Sequence, residues 1–292
     1  MAIALRRRAG YAEILACTAL WGTIGPIVRW IDLPAATIAF YRLALAFAVV
    51  LSWLAVRRGL GDARPGPRRG LLLACGALLG AGWVIQFVAF KRLGVGLTIL
   101  IVFVAPVLWV IAAPRVLGER LRPVALGALL AAFAGVVLIS VPALGRVDRL
   151  GLAAALAGAV LFATYILAGK VLTAHYPPEA VVVWSYGVAA VLLSPAAVAV
   201  PPGEVLRAAP LLLVLGVLHT GALGIVFFRA VRALPAQELG VLYYLEPASA
   251  VLYAWWWLGE TPSVATLAGG TLIVLAGMAL IRSEREVVVP GA

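Results

Sequence analysis

Long apolar runs alternate with short segments rich in proline, glycine and arginine along the 292-residue chain. A helix needs about 20 mostly apolar residues to cross a bilayer. Between the apolar runs, no segment is long or polar enough to form a soluble domain. The pattern therefore predicts an all-α integral membrane protein with ten transmembrane helices. The predicted spans are residues 11–30, 34–56, 70–90, 95–114, 123–141, 150–169, 179–200, 208–228, 237–258 and 263–281.

One spacing occurs twice in the chain. Pro106 is followed by Gly118–Glu119, and Pro247 is followed by Gly259–Glu260 at an offset of 141 residues. Self-similarity at a fixed offset indicates a duplicated unit. Further pairs at this offset are Trp21 with Phe162, Thr23 with Thr164, Arg29 with Lys170, Leu93 with Leu234, and Phe103 with Tyr244.

The number of helices in each unit determines how the two units are related. Five is an odd number, so the second unit must enter the membrane upside down relative to the first. We therefore expect two inverted five-helix repeats, over residues 1–145 and 146–292. Secondary transporters are commonly built in this way, because inverted halves can exchange roles and expose a central site to either side. Pro106 and Pro247 are then paired candidate hinges, because each removes a backbone donor inside a spanning helix.

Composition and charge agree with a membrane location. Hydrophobic residues make up 64% of the chain and charged residues 12%, which lies outside the range of soluble globular domains. The net charge of +11 comes from residues in the short gaps, without the basic stripe of a nucleic-acid surface. The lipid bilayer is therefore an expected partner, and nucleic acid is not. Cys17 and Cys75 lie in apolar runs and support neither a disulfide nor a metal pair.

The distribution of Lys and Arg predicts the orientation. With a cytoplasmic N-terminus, 16 of the 23 basic residues face the cytoplasm, six face outside, and Arg42 lies within a span. The positive-inside rule then places both termini in the cytoplasm, as in a multi-pass protein of a bacterial-type inner membrane. Three arginines before Cys17 mimic a lipoprotein signal, but Glu13 interrupts the pattern and the apolar run continues to Trp30. We expect a retained first span.

Together these features resemble the EamA family of the drug/metabolite transporter superfamily, and within it the aromatic amino-acid exporter branch. The resemblance rests on the Trp21–Gly22 pair, the repeated proline-to-Gly-Glu spacing and the five-plus-five layout, and it covers nearly the whole chain. It implies a ten-helix bundle that moves a small metabolite, often outward, through a cavity lined by the first, third and fourth helices of each half. By this resemblance, Trp21, Phe162 and Tyr165 belong to helices of the cavity wall.

Polar residues at membrane depth are costly, and each is a functional candidate. In the third span, Trp83, Gln86, Phe87 and Phe90 have the i, i+3, i+4, i+7 spacing of one helical face. An aromatic wall with one amide can hold a flat or amphipathic solute. Ordinary packing of a buried face is the alternative interpretation.

The second half carries polar candidates in its eighth and ninth spans. His219 lies near the middle of the eighth span, where it can contact substrate or couple a proton. A hydrogen bond to a neighbouring helix is the alternative. In the ninth span, Tyr243 and Tyr244 precede a glutamate and a proline, which makes this the most polar stretch at membrane depth. We expect both tyrosines in the substrate site.

Glu246 is the acidic candidate of the ninth span. It can bind a substrate ammonium, carry a coupled proton, or form an ion pair with Arg42. Its counterpart in the first half is Ala105, and this asymmetry favours a specific role for the acid. Arg42 itself is expected to have a structural role in preference to substrate contact, and its side chain can extend to the outer surface. Glu119 and Glu260 precede helix starts, where a carboxylate offsets the helix dipole.

The sequence thus predicts a secondary transporter that exports small metabolites by alternating access, with aromatic or large apolar amino acids as expected substrates. Another metabolite, a drug or a nucleotide sugar is the alternative within this class. No HExxH, GxSxG or Walker-type GxxxxGK motif occurs, so neither an enzyme nor a cofactor or metal is expected. A passive pore would not need inverted repeats with hinge-like prolines. The oligomeric state is left open.

Overall fold

The computed structural model describes residues 2–57, 59–140 and 148–288. In these residues the regular secondary structure is entirely helical, and nine helical segments are long and apolar enough to cross a membrane. The predicted boundary between residues 145 and 146 lies outside the described residues. Arg58 and Arg146, two of the basic residues used to predict the orientation, lie outside them as well.

The helices follow the apolar runs. In the first half they are α1 (Ala2–Trp21), α2 (Ile24–Arg29), α3 (Ala35–Val56), α4 (Arg69–Leu93), α5 (Val95–Val102), α6 (Ala105–Leu117) and α7 (Pro123–Ser140). In the second half they are α8 (Arg149–Thr173), α9 (Pro178–Leu193), α10 (Pro202–Leu213), a π-helix (Val214–Ala222), α11 (Leu223–Ala233), α12 (Ala236–Tyr243), α13 (Leu245–Leu258) and α14 (Val264–Val288). Short 3-10 turns occupy Leu60–Ala63 and Ser194–Ala197.

The segment at 237–258, predicted as the ninth of ten spans, is not among the nine segments that qualify in the described chain. It is divided between α12 and α13 at Tyr244. Its centre carries Tyr243, Tyr244, Glu246 and Pro247, which reduce its apolar character. The fourth predicted span is divided in the same way, between α5 and α6. Pro106 and Pro247 each lie in the first turn after such a break.

The repeated Gly-Glu motif has the same backbone conformation in both halves. Gly118 ends α6 and Gly259 ends α13, and each has φ of +69°. This left-handed conformation is one that glycine adopts without steric cost, and it commonly ends a helix. The sequence repeat is therefore also a repeat of local structure.

Helices of the two halves pack against each other around the centre of the molecule. α4 packs on α8 and α9, α3 packs on α9 and the π-helix, and α1 packs on α11 and α13. The Gly76 and Gly80 pair of α4 lies against α9, where an added Cβ would come within 2.6 Å of Val188 and 2.8 Å of Leu192. Small residues of this kind allow membrane helices to approach closely.

Aromatic residues cluster on the outer surface at one end of the bundle. Trp255, Trp256 and Trp257 of α13 are all exposed. The Trp257 ring stacks on Trp30 with the ring centroids 6.0 Å apart. Exposed tryptophans are enriched where membrane proteins meet the headgroup region, so this cluster fits an interfacial position.

Candidate functional site

A cavity of about 330 Å³ lies between the two halves, within the size range of small-molecule sites. The first, third and fourth predicted spans of each half line it, as the family resemblance implied. The second span of each half also contributes, through Arg42 of α3 and Tyr186 of α9. Both halves therefore form the wall.

Most of the predicted substrate-site residues come together in this wall. Those that line the cavity are Trp21, Trp83, Gln86, Phe90, Tyr165, His219, Tyr243 and Glu246. Phe87 and Tyr244 are not among the lining residues. The Phe87 ring packs between Trp83 and Phe90, with centroid distances of 5.8 and 6.3 Å. Tyr244 is fully buried, and its hydroxyl donates to the carbonyl oxygen of Phe103 at 2.8 Å.

Several equivalent positions of the two repeats both line the cavity. The lining pairs at the 141-residue offset are Trp21 with Phe162, Ile24 with Tyr165, Leu78 with His219, Leu79 with Thr220, Gln86 with Phe227, and Val102 with Tyr243. In four of these pairs the second half supplies the more polar member. At these paired positions the second half is the more polar, with Gln86 as the clearest exception, whereas the charged Arg42 of the wall comes from the first half.

Tyr243 is the centre of an aromatic cluster in the wall. Its ring centroid lies 5.5 Å from that of Trp109, 6.0 Å from Phe162, and 6.1 Å from both Trp21 and Phe227. Edge-to-face and tilted contacts at such distances are favourable. Because each ring is held by several others, the cluster offers a solute a preformed surface.

The π-helix places two polar residues in the wall. Its wider turn suits hydrogen bonds to the residue five positions earlier: the Thr220 hydroxyl donates to Leu215 O at 2.7 Å, and His219 Nδ1 lies 3.1 Å from Val214 O. Such segments are rare and often occur at functional sites. Nothing in the apolar pattern of the eighth span distinguished a π-helix from an α-helix.

The His219 imidazole has protein partners at both ring nitrogens. Nδ1 lies 3.1 Å from Val214 O, and Nε2 lies 2.7 Å from the Thr23 hydroxyl oxygen, which itself donates to Leu20 O at 2.7 Å. The backbone carbonyl of His219 also accepts from Trp21 Nε1 at 2.8 Å. His219 therefore joins the eighth span to the first and orients Trp21 in the cavity wall.

Glu246 and Arg42 bring opposite charges to the cavity without pairing. Oε2 of Glu246 is buried and has no hydrogen-bond partner among the described residues. Arg42 donates from Nε to Thr220 Oγ1 at 3.2 Å, and its guanidinium lies 6.0 Å from the Trp83 ring centroid. No ion pair in the described part of the chain joins Arg42 to Glu246. The ion pair with Arg42, one of the alternatives for Glu246, is thus not formed, and the contact with Thr220 holds Arg42 in the cavity wall.

Two ion pairs occupy equivalent positions in the two repeats. Lys170 pairs with Glu119 at 3.3 Å, and Arg29 pairs with Glu260. Glu119 also accepts from the Ala236 backbone N–H at 2.6 Å. A carboxylate at a helix start was expected. The helix that Glu119 caps is α12 of the other half, not the helix that follows Glu119 in the sequence.

A third ionic cluster surrounds Glu238 of α12, which is fully buried. Glu238 pairs with Arg7 and, at 3.2 Å, with Arg122, and it accepts from the Tyr11 hydroxyl at 2.7 Å. Its counterpart in the first half is Leu97, so the cluster has no equivalent in the other repeat. Sequence reasoning missed it, although an acid at the edge of an apolar span is itself a signal.

Comparison with known proteins places these features in a family context. The sequence profile of the EamA-like transporter family matches residues 8–141 and 149–283. An uncharacterized transporter of Bacillus subtilis (strain 168) is 26% identical over 91% of this chain and 87% of its own. A probable terminal-alkyne amino-acid exporter of Streptantibioticus cattleyicolor is 30% identical over 94% of this chain and 98% of its own.

A pseudopaline exporter of Pseudomonas aeruginosa is 28% identical over 87% of this chain and 88% of its own. One crystal structure superposes with a TM-score of 0.81 at 23% identity, and covers 97% of this chain and 99% of the other. At this identity the likeness concerns the fold. It extends over nearly all of both chains.

Proposed function

Because the chain belongs to the EamA-like transporter family, we propose that it is a secondary transporter that exports amino acids with aromatic or large apolar side chains. Membership of the family, which the repeated motifs predicted, makes the protein a multi-pass membrane transporter. The observation that carries the finer proposal is the central cavity, where the Glu246 carboxylate, whose Oε2 has no hydrogen-bond partner among the described residues, lies in the same wall as the aromatic cluster.

The chemistry of the wall supports an amino acid as substrate. A buried carboxylate oxygen without a partner is costly, and a substrate ammonium can satisfy it. The rings of Trp21, Phe162 and Tyr243 can pack on an aromatic or large apolar side chain. The relative from Streptantibioticus cattleyicolor, named as a probable amino-acid exporter, supports the same class.

Alternating access is the proposed mechanism, in a ten-helix bundle of inverted repeats over residues 1–145 and 146–292. The ion pairs Lys170–Glu119 and Arg29–Glu260 support it, because inverted repeats put equivalent pairs at opposite ends of the cavity. With both termini cytoplasmic in a bacterial-type inner membrane, the Lys170 pair is at the cytoplasmic end. Pro106 and Pro247, each just after a helix break, are the proposed hinges.

A nucleotide sugar fits the cavity less well. A doubly charged phosphate group needs several cationic side chains, and Arg42 is the one Lys or Arg among the described residues that line the cavity. Drugs and other metabolites remain alternatives within the family. An enzyme is disfavoured because the similar proteins are named transporters and exporters.

Transport by the purified protein in liposomes tests the proposal. We expect saturable uptake of labelled phenylalanine and tryptophan, competed by other large apolar amino acids and only weakly by glutamate. Liposomes that contain the Glu246→Ala variant are the matched control, and they should show at least about tenfold less uptake. Flux of another solute class with no flux of any amino acid would refute the amino-acid assignment.

A further inference from the structure

We propose that Arg42 binds the substrate carboxylate and that Arg42 and Glu246 together select zwitterions, molecules with both a free α-amino and a free α-carboxylate group. This inference rests on the proposed function and narrows it. It assigns each of the two unpaired charges in the cavity to one end of the amino-acid backbone.

The free edge of the Arg42 guanidinium is the first support. A guanidinium presents N–H donors in a planar fork that matches a carboxylate. Nε of Arg42 donates to Thr220, and its two Nη atoms have no hydrogen bond or ion pair to any described residue. The edge formed by the two Nη atoms is therefore available to a ligand in a cavity that Arg42 lines.

The guanidinium is held in place by neutral groups. The Thr220 hydroxyl donates its proton to Leu215 O at 2.7 Å, so its oxygen presents a lone pair to Arg42. Trp83 lies beneath the guanidinium at 6.0 Å, in the range of a cation–π contact. A membrane-depth cation held in this way still lacks a counter-ion, which is costly unless a ligand supplies one.

Glu246 supplies the complementary charge of the site. Arg42 and Glu246 influence each other electrostatically, yet no ion pair within 4.0 Å joins them in the described residues. Two opposite charges that face one cavity and remain apart can both be satisfied by a single zwitterion between them. An amine leaves Arg42 without a partner, and an acid leaves Glu246 without one. Leaving a buried polar group unpaired is the strongest basis for rejecting an analogue.

Four related compounds test this assignment: phenylalanine, phenylalaninamide, phenethylamine and 3-phenylpropionate. In liposomes with the wild-type protein, we expect phenylalanine to be transported and each of the other three to be at least about tenfold poorer. In Arg42→Gln, phenylalanine uptake should fall at least about tenfold, and the preference for phenylalanine over phenylalaninamide should disappear. In Glu246→Gln, the preference over 3-phenylpropionate should disappear instead.

Conservative variants separate ligand binding from a structural role. Arg42→Lys keeps the charge without the fork, so we expect part of the selectivity to return. Thr220→Val removes the group that orients Arg42 and should lower the ratio of phenylalanine to phenylalaninamide uptake. Lys91→Gln removes an exposed cation outside the cavity wall and should change neither rate nor selectivity. Size-exclusion profiles of every variant check that it is folded.

The outcomes are distinguishable. No phenylalanine transport by the wild type would overturn the proposed function itself. Phenylalanine transport by the wild type with full selectivity retained in Arg42→Gln would overturn the role of Arg42 alone. An equal loss of phenylalanine and phenylalaninamide uptake in Arg42→Gln, without a change in their ratio, would show that Arg42 is structural.

Discussion

The Tyr244 hydroxyl donates a hydrogen bond of 2.8 Å to the Phe103 carbonyl oxygen, and the two residues occupy the same position in the two repeats, 141 residues apart. Equivalent residues of a two-fold repeat can touch only near the axis that relates them. Phe103 lies at the break between α5 and α6, and Tyr244 at the break between α12 and α13. A broken helix leaves carbonyls that need other partners at membrane depth. The bond therefore joins the two discontinuous helices at the centre of the fold.

Removal of this bond should destabilise the protein. In Tyr244→Phe the Phe103 carbonyl loses its donor in a buried site, and we expect a loss of about 1 kcal/mol. For a chain of this size, thermal unfolding in detergent should shift down by about 2–4 °C. Tyr41→Phe is the matched control, since the Tyr41 hydroxyl has no hydrogen bond to any described residue. Equal unfolding temperatures for Tyr244→Phe and the wild type would contradict the assignment.

The two glycines that end α6 and α13 give a second prediction. Gly118→Ala and Gly259→Ala each place a Cβ on a residue with φ of +69°, although nothing lies within 4 Å to clash with it. The cost is therefore conformational, and we expect about 1 kcal/mol for each. Gly127→Ala adds the same atom in open space within α7 and should be neutral or slightly stabilising. Similar unfolding temperatures for all three variants would show that the turns tolerate a side chain.

The helices and the repeat could be predicted because apolar length and motif spacing are local properties of the sequence. Most of the cavity wall could be predicted because polar groups at membrane depth are costly and therefore few. Whether a particular side chain lines the cavity or packs against a neighbouring helix was harder to infer. The spacing from Trp83 to Phe90 defined a helical face, but it did not show that Phe87 packs at its edge. The polarity of Tyr244 did not show that its partner is a backbone carbonyl in the other repeat.

The features that were missed depend on partners distant in sequence. Arg42 lies far enough along its helix to enter the cavity or to extend to the surface, and its contact with Thr220 decides between these positions. Thr220 is presented by a π-helix, which the eighth span's composition did not indicate. Glu238 is paired in its buried position with Arg7 of α1 and with Arg122, which directly precedes α7.

Proton coupling, if the transporter uses it, should depend on Glu246 and not on His219. Oε2 of Glu246 has no partner among the described residues, whereas both nitrogens of His219 are bonded to protein oxygens. We expect Glu246→Gln to abolish the pH dependence of phenylalanine transport. His219→Asn should lower the rate, because it removes the imidazole contact with Thr23, but retain the shape of the pH profile. A pH profile altered in His219→Asn alone would assign the proton to the imidazole, and a pH dependence unchanged in both variants would assign it to another group. A flat wild-type profile would indicate a facilitator without coupling.

The two equivalent ion pairs should differ in their effect on access to the cavity. The Lys170 and Glu119 side chains are 13% and 21% exposed, against 63% and 47% for Arg29 and Glu260. An exposed pair contributes about 0–1 kcal/mol. Removal of one partner from a less exposed pair costs more, because it leaves the other charge uncompensated. We expect Lys170→Gln to open the cytoplasmic end of the cavity and Arg29→Gln to have little effect on access.

Cysteine labelling measures this access. The residue to be labelled is a cysteine introduced by Leu79→Cys, in a background without Cys17 and Cys75, and an impermeant thiol reagent is added to either side of oriented vesicles. A loss of about 1.4 kcal/mol corresponds to a tenfold gain in cytoplasmic labelling, whereas equal labelling in the two variants would mean that the Lys170 pair does not hold that end closed.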